Sequence, residues 1–172
     1  MLKALGGCMI VSGCLGLGVW YRDQFQGRIR SLRLLQTILE LLCGEIRYGR
    51  AVLGECCGRT AERISSPCRE AFRRIADRMR ENTGEDFETV FREYMGEALE
   101  AMPLTEEDRE VFFGFVPKSG FPDGQMQIRM IEQSRERLAR RAEELERENA
   151  GKCRMALGLG AMSGLLILLV LC

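Results

Sequence analysis

Residues 32–46, LRLLQTILELLCGEI, give the first indication of how this chain folds. Their large apolar side chains recur at alternating steps of three and four residues, at Leu32, Leu35, Leu39, Leu42 and Ile46. This spacing places the five side chains on one face of an α-helix. The segment therefore predicts an amphipathic helix that ends near Gly49 and has one face buried in a core.

The same helical spacing continues through the middle of the chain. Further apolar stripes begin near Val52, Cys68, Phe87 and Val111, and the last one runs from Ile128 to Leu145. The helix signals between them are an N-cap at Ser66 followed by a proline at the first helical position, a stop at 82–84, a Thr105–Asp108 capping box with Asp in place of Glu, and a cap at Asp123. These patterns predict an all-α bundle of about six helices. The last stripe would also suit a dimeric coiled coil, but five neighbouring helices are available to cover it, which favours core packing.

Both ends of the chain are apolar. Ala4–Tyr21 and Met155–Cys172 each contain eighteen residues without a charge, and each would span about 27 Å as a helix, close to the thickness of a bilayer core. We therefore predict an N-terminal transmembrane anchor at 1–22, a helical domain at 23–154 and a C-terminal transmembrane anchor at 155–172. The alternative is an extracytoplasmic lipoprotein or envelope-binding module processed at Cys14, because residues 11–14 resemble a lipobox.

The basic residues beside the anchors predict their orientation. Nine Arg or Lys side chains flank the domain side of the two apolar runs, namely Arg22, Arg28, Arg30, Arg33, Arg140, Arg141, Arg147, Lys152 and Arg154. The other side carries only Lys3. The positive-inside rule then predicts a cytoplasmic central domain.

Small residues repeat every fourth position in both apolar runs. They are Ala4, Cys8, Ser12 and Gly16 in the first run, and Ala156, Gly160 and Gly164 in the second. Ridges of this kind allow close packing between membrane helices, within the chain or with a partner. The alternative is that glycine is simply common in membrane helices.

The composition argues against an enzyme. The chain has no histidine, which excludes Ser-His and Cys-His nucleophile pairs and mixed Cys/His zinc sites. Its eight cysteines form no C-x-x-C pair, so we interpret them as reduced packing residues. No phosphate-binding loop motif is present. Basic and acidic residues both number 25, so the net charge gives no indication of nucleic-acid binding. We predict no catalytic residues, no metal and no cofactor.

Charge is strongly segregated along the chain. Residues 22–80 carry thirteen basic and seven acidic side chains, whereas residues 81–110 carry two basic and eleven acidic ones. The basic parts adjoin the anchors, where anionic membrane lipid would attract them. A surface of one sign steers association with a partner of the opposite sign, so the acidic middle segment is a candidate partner-binding face. Its members are Glu85, Asp86, Glu88, Glu93, Glu97 and Glu100; the alternative is a solvated helix face without a partner.

Several short motifs together resemble a known family. In the first half they are Leu35-Gln36, Leu42, Glu45-Ile46 and Tyr48-Gly49; in the second half they are Leu104-Thr105, Phe113-Gly114, Gly120, Asp123, Gln127 and Leu157-Gly158. With the two apolar ends, this pattern is similar to the stage III sporulation protein AB family over essentially the whole chain.

The resemblance implies a function that composition alone does not indicate. Members of this family belong to a membrane complex that joins the mother cell and the forespore in endospore-forming bacteria. Their soluble part is similar to the cytoplasmic helical domain of the platform protein of type II secretion and type IV pilus systems. The resemblance thus implies a non-enzymatic platform subunit, required for endospore formation, in the mother-cell membrane (the outer forespore membrane). Implied partners are other proteins of the same operon, including the ATPase stage III sporulation protein AA. A second copy of the same chain is a further candidate partner.

Overall fold

The computed structural model describes the backbone of residues 26–48, 53–81, 84–117 and 124–171, and the side chains of these ranges as far as residue 148. All regular secondary structure in the described ranges is helical, and no strand occurs there. The helices are α1 (26–48), α2 (Leu53–Ala61), α3 (Cys68–Arg80), α4 (Phe87–Glu100), α5 (Glu106–Phe113) and α6 (Gly124–Leu171). The prediction of an all-α fold with about six helices is confirmed for this part of the chain.

The chain divides into two compact units. The first, Arg30–Ala142, contains most of α1, all of α2 to α5 and the first part of α6. The second combines Met1–Ile29 with Glu143–Cys172. The predicted anchor at 1–22 and its stripe of Ala4, Cys8, Ser12 and Gly16 lie outside the described residues. For the second stripe, Ala156, Gly160 and Gly164, only the helical backbone is described.

In the part of the chain that the structure describes, no helix is both long enough and apolar enough to cross a bilayer. The backbone of α6 nevertheless continues without interruption from Gly124 to Leu171. The two transmembrane anchors therefore stay predictions.

The predicted stripe of α1 forms part of the core. Leu32, Leu35, Leu39 and Leu42 are fully buried, while Ile46 is half-buried at the end of the helix. On α6, Ile131, Leu138 and Ala142 are also buried. Both stripes therefore pack inside the bundle, which is the interpretation the sequence favoured over a coiled coil.

Aromatic rings hold α3, α4 and α5 together. Phe91 of α4 lies 5.8 Å from Phe72, 6.1 Å from Phe112 and 5.3 Å from Phe115, measured between ring centroids. Such ring pairs stabilise a core by about 0.5–1.5 kcal/mol each beyond their buried area. The cluster fixes α4 in the bundle by its inner face and leaves the opposite face in solvent.

Three of the four predicted helix-end signals fall within the described residues, and two of these match the structure. Gly84 adopts φ of 77° after α3, a conformation that glycine tolerates without steric cost. The capping box at α5 is complete, because Thr105 Oγ1 accepts from the Asp108 N–H and Asp108 Oδ2 accepts from the Thr105 N–H. At α3 the prediction of Ser66 as the cap was wrong. Pro67 occupies that position without a side-chain hydrogen bond, and the Ser65 carbonyl accepts from the Arg69 N–H instead.

Candidate protein-interaction surface

The six acidic candidate residues all lie in or just before α4, but the fold uses them differently. Glu85 and Asp86 precede the helix, and Glu88, Glu93, Glu97 and Glu100 lie on it. Which of them are available to a partner depends on the ion pairs that they form inside the chain.

Glu85 and Glu88 are engaged by arginines of the same chain. Arg78 at the end of α3 donates from Nε to one oxygen of Glu85 at 2.7 Å and from Nη2 to the other at 3.0 Å. These hydrogen bonds raise the pKa of Arg78 above its ordinary value. One turn along α4, Arg92 Nε lies 3.1 Å from Glu88 Oε1, and the Glu88 side chain is only 20% exposed. These two carboxylates therefore contribute to the fold and do not form a free acidic surface.

Asp86 is the N-cap residue of α4. Its side chain is exposed and makes no capping hydrogen bond. A negative charge at the start of a helix interacts favourably with the helix dipole. This interaction accounts for an aspartate at this position, and no partner protein is needed to explain it.

The remaining three acidic residues share one exposed face of α4. Glu93, Glu97 and Glu100 follow one another at steps of four and three residues, which aligns them along one side of the helix. Only Glu97 has an ion-pair partner in the described part of the chain, Arg74 at 3.6 Å, and both side chains are well exposed at 76% and 62%. An exposed pair of this kind contributes little to stability.

A glycine lies in the middle of this acidic face. Gly96 is three residues after Glu93 and four before Glu100, and a Cβ placed on it would meet no atom within 4 Å. Internal packing therefore gives no reason for a glycine at this place, although glycine weakens a helix interior by about 0.5–1 kcal/mol relative to alanine. We name Glu93, Gly96, Glu97 and Glu100 the α4 acidic surface.

The structure adds a buried ion pair that the sequence did not predict. Asp108 at the start of α5 is fully buried and accepts from Arg141 Nη1 of α6 at 3.0 Å. Arg141 Nη2 also lies 3.0 Å from Glu107. Burial of Arg141 opposes its charged form, but the hydrogen bonds to Asp108 and Glu107 raise its pKa above the ordinary value. The two partners are 33 residues apart, and no sequence periodicity connects them.

Most of the described family-motif residues have structural roles. Glu45 lies 3.4 Å from both Arg59 and Arg63 and is largely shielded, which links α1 to α2 and the turn after it. Leu104 is buried and Thr105 caps α5. A Cβ on Gly114 would lie 3.3 Å from Ser134 Oγ of α6.

Two further motif residues lie near the start of α6 and the end of α1. The buried Gln127 donates from Nε2 to the Phe115 carbonyl at 3.0 Å and so ties α6 to the segment after α5. Tyr48 is 84% exposed. The motif positions Gly49, Gly120 and Asp123 lie outside the described residues.

Cysteines in the described ranges are packing residues. Cys43, Cys56, Cys57 and Cys68 are all buried and free of disulfides. Burial raises the pKa of each thiol and raises that of Cys68 to about 11, so these thiols are protonated and unreactive at neutral pH. In the same ranges no three Cys, Asp or Glu side chains are grouped so that they could hold a metal ion.

Comparison with known proteins identifies the family. The family model for stage III sporulation protein AB matches residues 3–172. Stage III sporulation protein AB of Bacillus subtilis (strain 168) is 25% identical over 171 residues, which is 99% of each chain. A solved structure of a stage III sporulation protein AB has the same fold, with a TM-score of 0.63 and 21% identity over 72% of this chain and 97% of that one. Since the family model covers all but the first two residues, the chain belongs to the stage III sporulation protein AB family.

Proposed function

We propose that this protein is a non-enzymatic membrane platform subunit of the sporulation channel between mother cell and forespore. Membership of a sporulation family supports a role in sporulation. In the proposed arrangement the anchors 1–22 and 155–172 hold the protein in the mother-cell membrane, and the helical bundle faces the mother-cell cytoplasm. The bundle couples a cytoplasmic ATPase, stage III sporulation protein AA, to the trans-envelope complex.

The α4 acidic surface is the observation that carries the ATPase contact. Among the six acidic candidates, Glu93 and Glu100 form no ion pair in the described part of the chain, and Glu97 has only a solvent-exposed one. The surface is attached to the aromatic core through Phe91 on the opposite side of the same helix. A force applied to this face by a partner would therefore pass directly into the bundle. Uncompensated charge of one sign is suited to fast, salt-sensitive association with a basic partner surface.

Charge reversal of this surface tests the proposal. We expect the triple change Glu93→Lys, Glu97→Lys and Glu100→Lys to weaken binding of the purified ATPase to the full-length protein about tenfold or more, because three attractive contacts become repulsive. Binding by the unmodified protein should also weaken as salt is added. Titration of the ATPase against the immobilised full-length chain gives both dissociation constants.

A matched control separates the effect of this surface on ATPase binding from the effect of total charge. Glu40, Glu55 and Glu70 are exposed glutamates on α1, α2 and α3 that form no ion pair among the described residues. Changing these three to lysine alters the net charge by the same amount and should leave ATPase binding within about twofold. Unchanged binding in the α4 variant would remove this surface from the proposal. A complete lack of ATPase binding by the unmodified chain would remove the coupling function itself.

A further inference from the structure

A groove between α2 and α3 forms a second candidate surface, apart from the α4 acidic surface. It encloses about 460 Å³. Small residues line it where the helices are close, and charged side chains line the rest: Gly58, Ala61 and Ala76, with Glu62, Arg69, Arg73, Asp77 and Arg80. A Cβ on Gly58 would lie 3.4 Å from the Ala76 Cβ, so the two helices approach closely here.

Arginines dominate the charge of this groove. Arg73 is exposed and forms no ion pair or hydrogen bond with the described residues. Arg80 pairs with Asp77 at 3.2 Å, but both side chains are 68% exposed, so solvent screens the pair. Arg69 donates to the Ile64 carbonyl through Nε alone. Only Glu62 and Asp77 oppose these three positive charges within the groove.

The α4 acidic surface is complementary to this groove in charge and spacing. Arg73 and Arg80 are seven residues apart on α3, and Glu93 and Glu100 are seven residues apart on α4. Seven residues of α-helix correspond to about 10.5 Å, so both pairs can align along two packed helices. Gly96 between the two glutamates leaves room for a neighbouring backbone.

The α4 of the same chain does not enter this groove. It packs against the other side of α3, where Arg74 meets Glu97 and Arg78 meets Glu85. Consecutive residues of a helix point about 100° apart, so Arg73 in the groove and Arg74 beside α4 belong to different faces of α3. The acidic surface that can occupy the groove must then come from another molecule.

We propose that the α2–α3 groove of one copy binds the α4 acidic surface of a second copy, head to tail. After two copies pair, one keeps an unused acidic surface and the other an unused groove, so the contact is heterologous and propagates to a ring or an open array. The inference does not depend on the ATPase proposal. If both hold, self-association and ATPase binding compete for the same surface.

Complementary charge reversals test this contact in the full-length chain carrying two different affinity tags. One variant combines Arg73→Glu with Arg80→Glu, and the other combines Glu93→Arg with Glu100→Arg. We expect co-purification of the two tagged forms to fall about tenfold or more for each variant alone. Mixing the two variants should restore it, because the mixture still contains one native groove and one native acidic surface. The chain that carries all four changes should associate with itself again.

Two further measurements distinguish a lost contact between copies from a misfolded variant. Glu62→Gln removes a repulsive charge from the groove without changing its shape, and it should strengthen self-association about two- to fivefold. The groove variant should retain its melting temperature and its ATPase binding, which separates a failure here from a failure of the proposed function. Self-association that survives both reversals, or no restoration on mixing, would overturn the proposal.

Discussion

Gly54 shows how one absent side chain sets the distance between two helices. A Cβ at this position would lie 2.8 Å from the Met79 Cβ. That atom is attached directly to the α3 backbone and cannot rotate away. We expect Gly54→Ala to lower the free energy of unfolding by about 1–3 kcal/mol, because α2 and α3 must separate to accept the methyl group. Chemical denaturation of the full-length chain measures the change.

Gly44 on α1 provides the matched control for this substitution. A Cβ there would meet no atom within 4 Å, so Gly44→Ala should stabilise the protein by about 0.5–1 kcal/mol through the lower backbone entropy of alanine. Equal effects of the two substitutions would contradict the close approach of α2 to α3.

Because of the buried Cys68 thiol, we predict that the free energy of unfolding depends on pH in the alkaline range. Burial raises the pKa of this thiol from 9.0 to about 11, so folding favours the protonated form. Its contribution to the free energy of unfolding is fully present below pH 9 and is lost as the pH rises toward 11. The free energy of unfolding then falls by up to about 1.4 kcal/mol per pH unit. Denaturation series between pH 8 and 11 should therefore show a smaller slope for Cys68→Ala than for the unmodified protein. Identical slopes would exclude this thiol as a source of the dependence.

Single residues were predictable where a local rule applies. The Thr105–Asp108 capping box and the leucines of α1 follow from fixed spacings along one helix. The pairing of Glu88 with Arg92 follows the i,i+4 rule as well. By contrast, the pairings of Asp108 with Arg141 and of Gln127 with the Phe115 carbonyl depend on how separate elements meet. A single sequence carries no signal for such contacts.

At the scale of elements, Asp108 connects α5 to α6. Its carboxylate caps α5 through the Thr105 N–H and also binds Arg141, while being fully buried. We expect Asp108→Ala to destabilise the protein by about 2–3 kcal/mol, because both hydrogen bonds are lost and Arg141 keeps its charge without this partner. Thermal and denaturant unfolding of the variant measure this effect.

Glu107→Ala is the control for Asp108→Ala, because both side chains bind Arg141. The Glu107 side chain is 79% exposed, so Glu107→Ala should cost less than about 1 kcal/mol. A similar loss in both variants would mean that the ion pairs, and not the buried cap, determine the effect.

The acidic face of α4 shows what sequence can and cannot predict about a candidate site. Charge counting selected this segment as a candidate, because acidic residues cluster between residues 81 and 110. It could not separate the members, since Glu85 is engaged by an arginine of the preceding helix and Asp86 occupies a cap. The structure reduces six candidates to three, and it adds Gly96 to them.

For the whole molecule, the distribution of charge makes a prediction about membrane topology. Nine basic residues border the domain side of the two apolar ends, against Lys3 on the other side. The positive-inside rule predicts from this that residues 23–154 lie in the cytoplasm. The proposed coupling to a cytoplasmic ATPase requires this orientation, whereas processing at Cys14 would put the bundle outside the cell.

Protease protection distinguishes the two orientations in spheroplasts of non-sporulating cells that express the protein, because these cells contain no internal forespore membrane. We expect the bundle to resist added protease in intact spheroplasts and to be cleaved after detergent lysis, because the membrane would separate the protease from a cytoplasmic domain. The exposed polypeptide of a known outer-surface protein should be cleaved in both samples, which shows that the protease is active. Cleavage of the bundle in intact spheroplasts would place it outside the cytoplasm. That result would exclude the ATPase platform and favour the lipoprotein alternative, which mass spectrometry of the mature N-terminus at Cys14 would then establish.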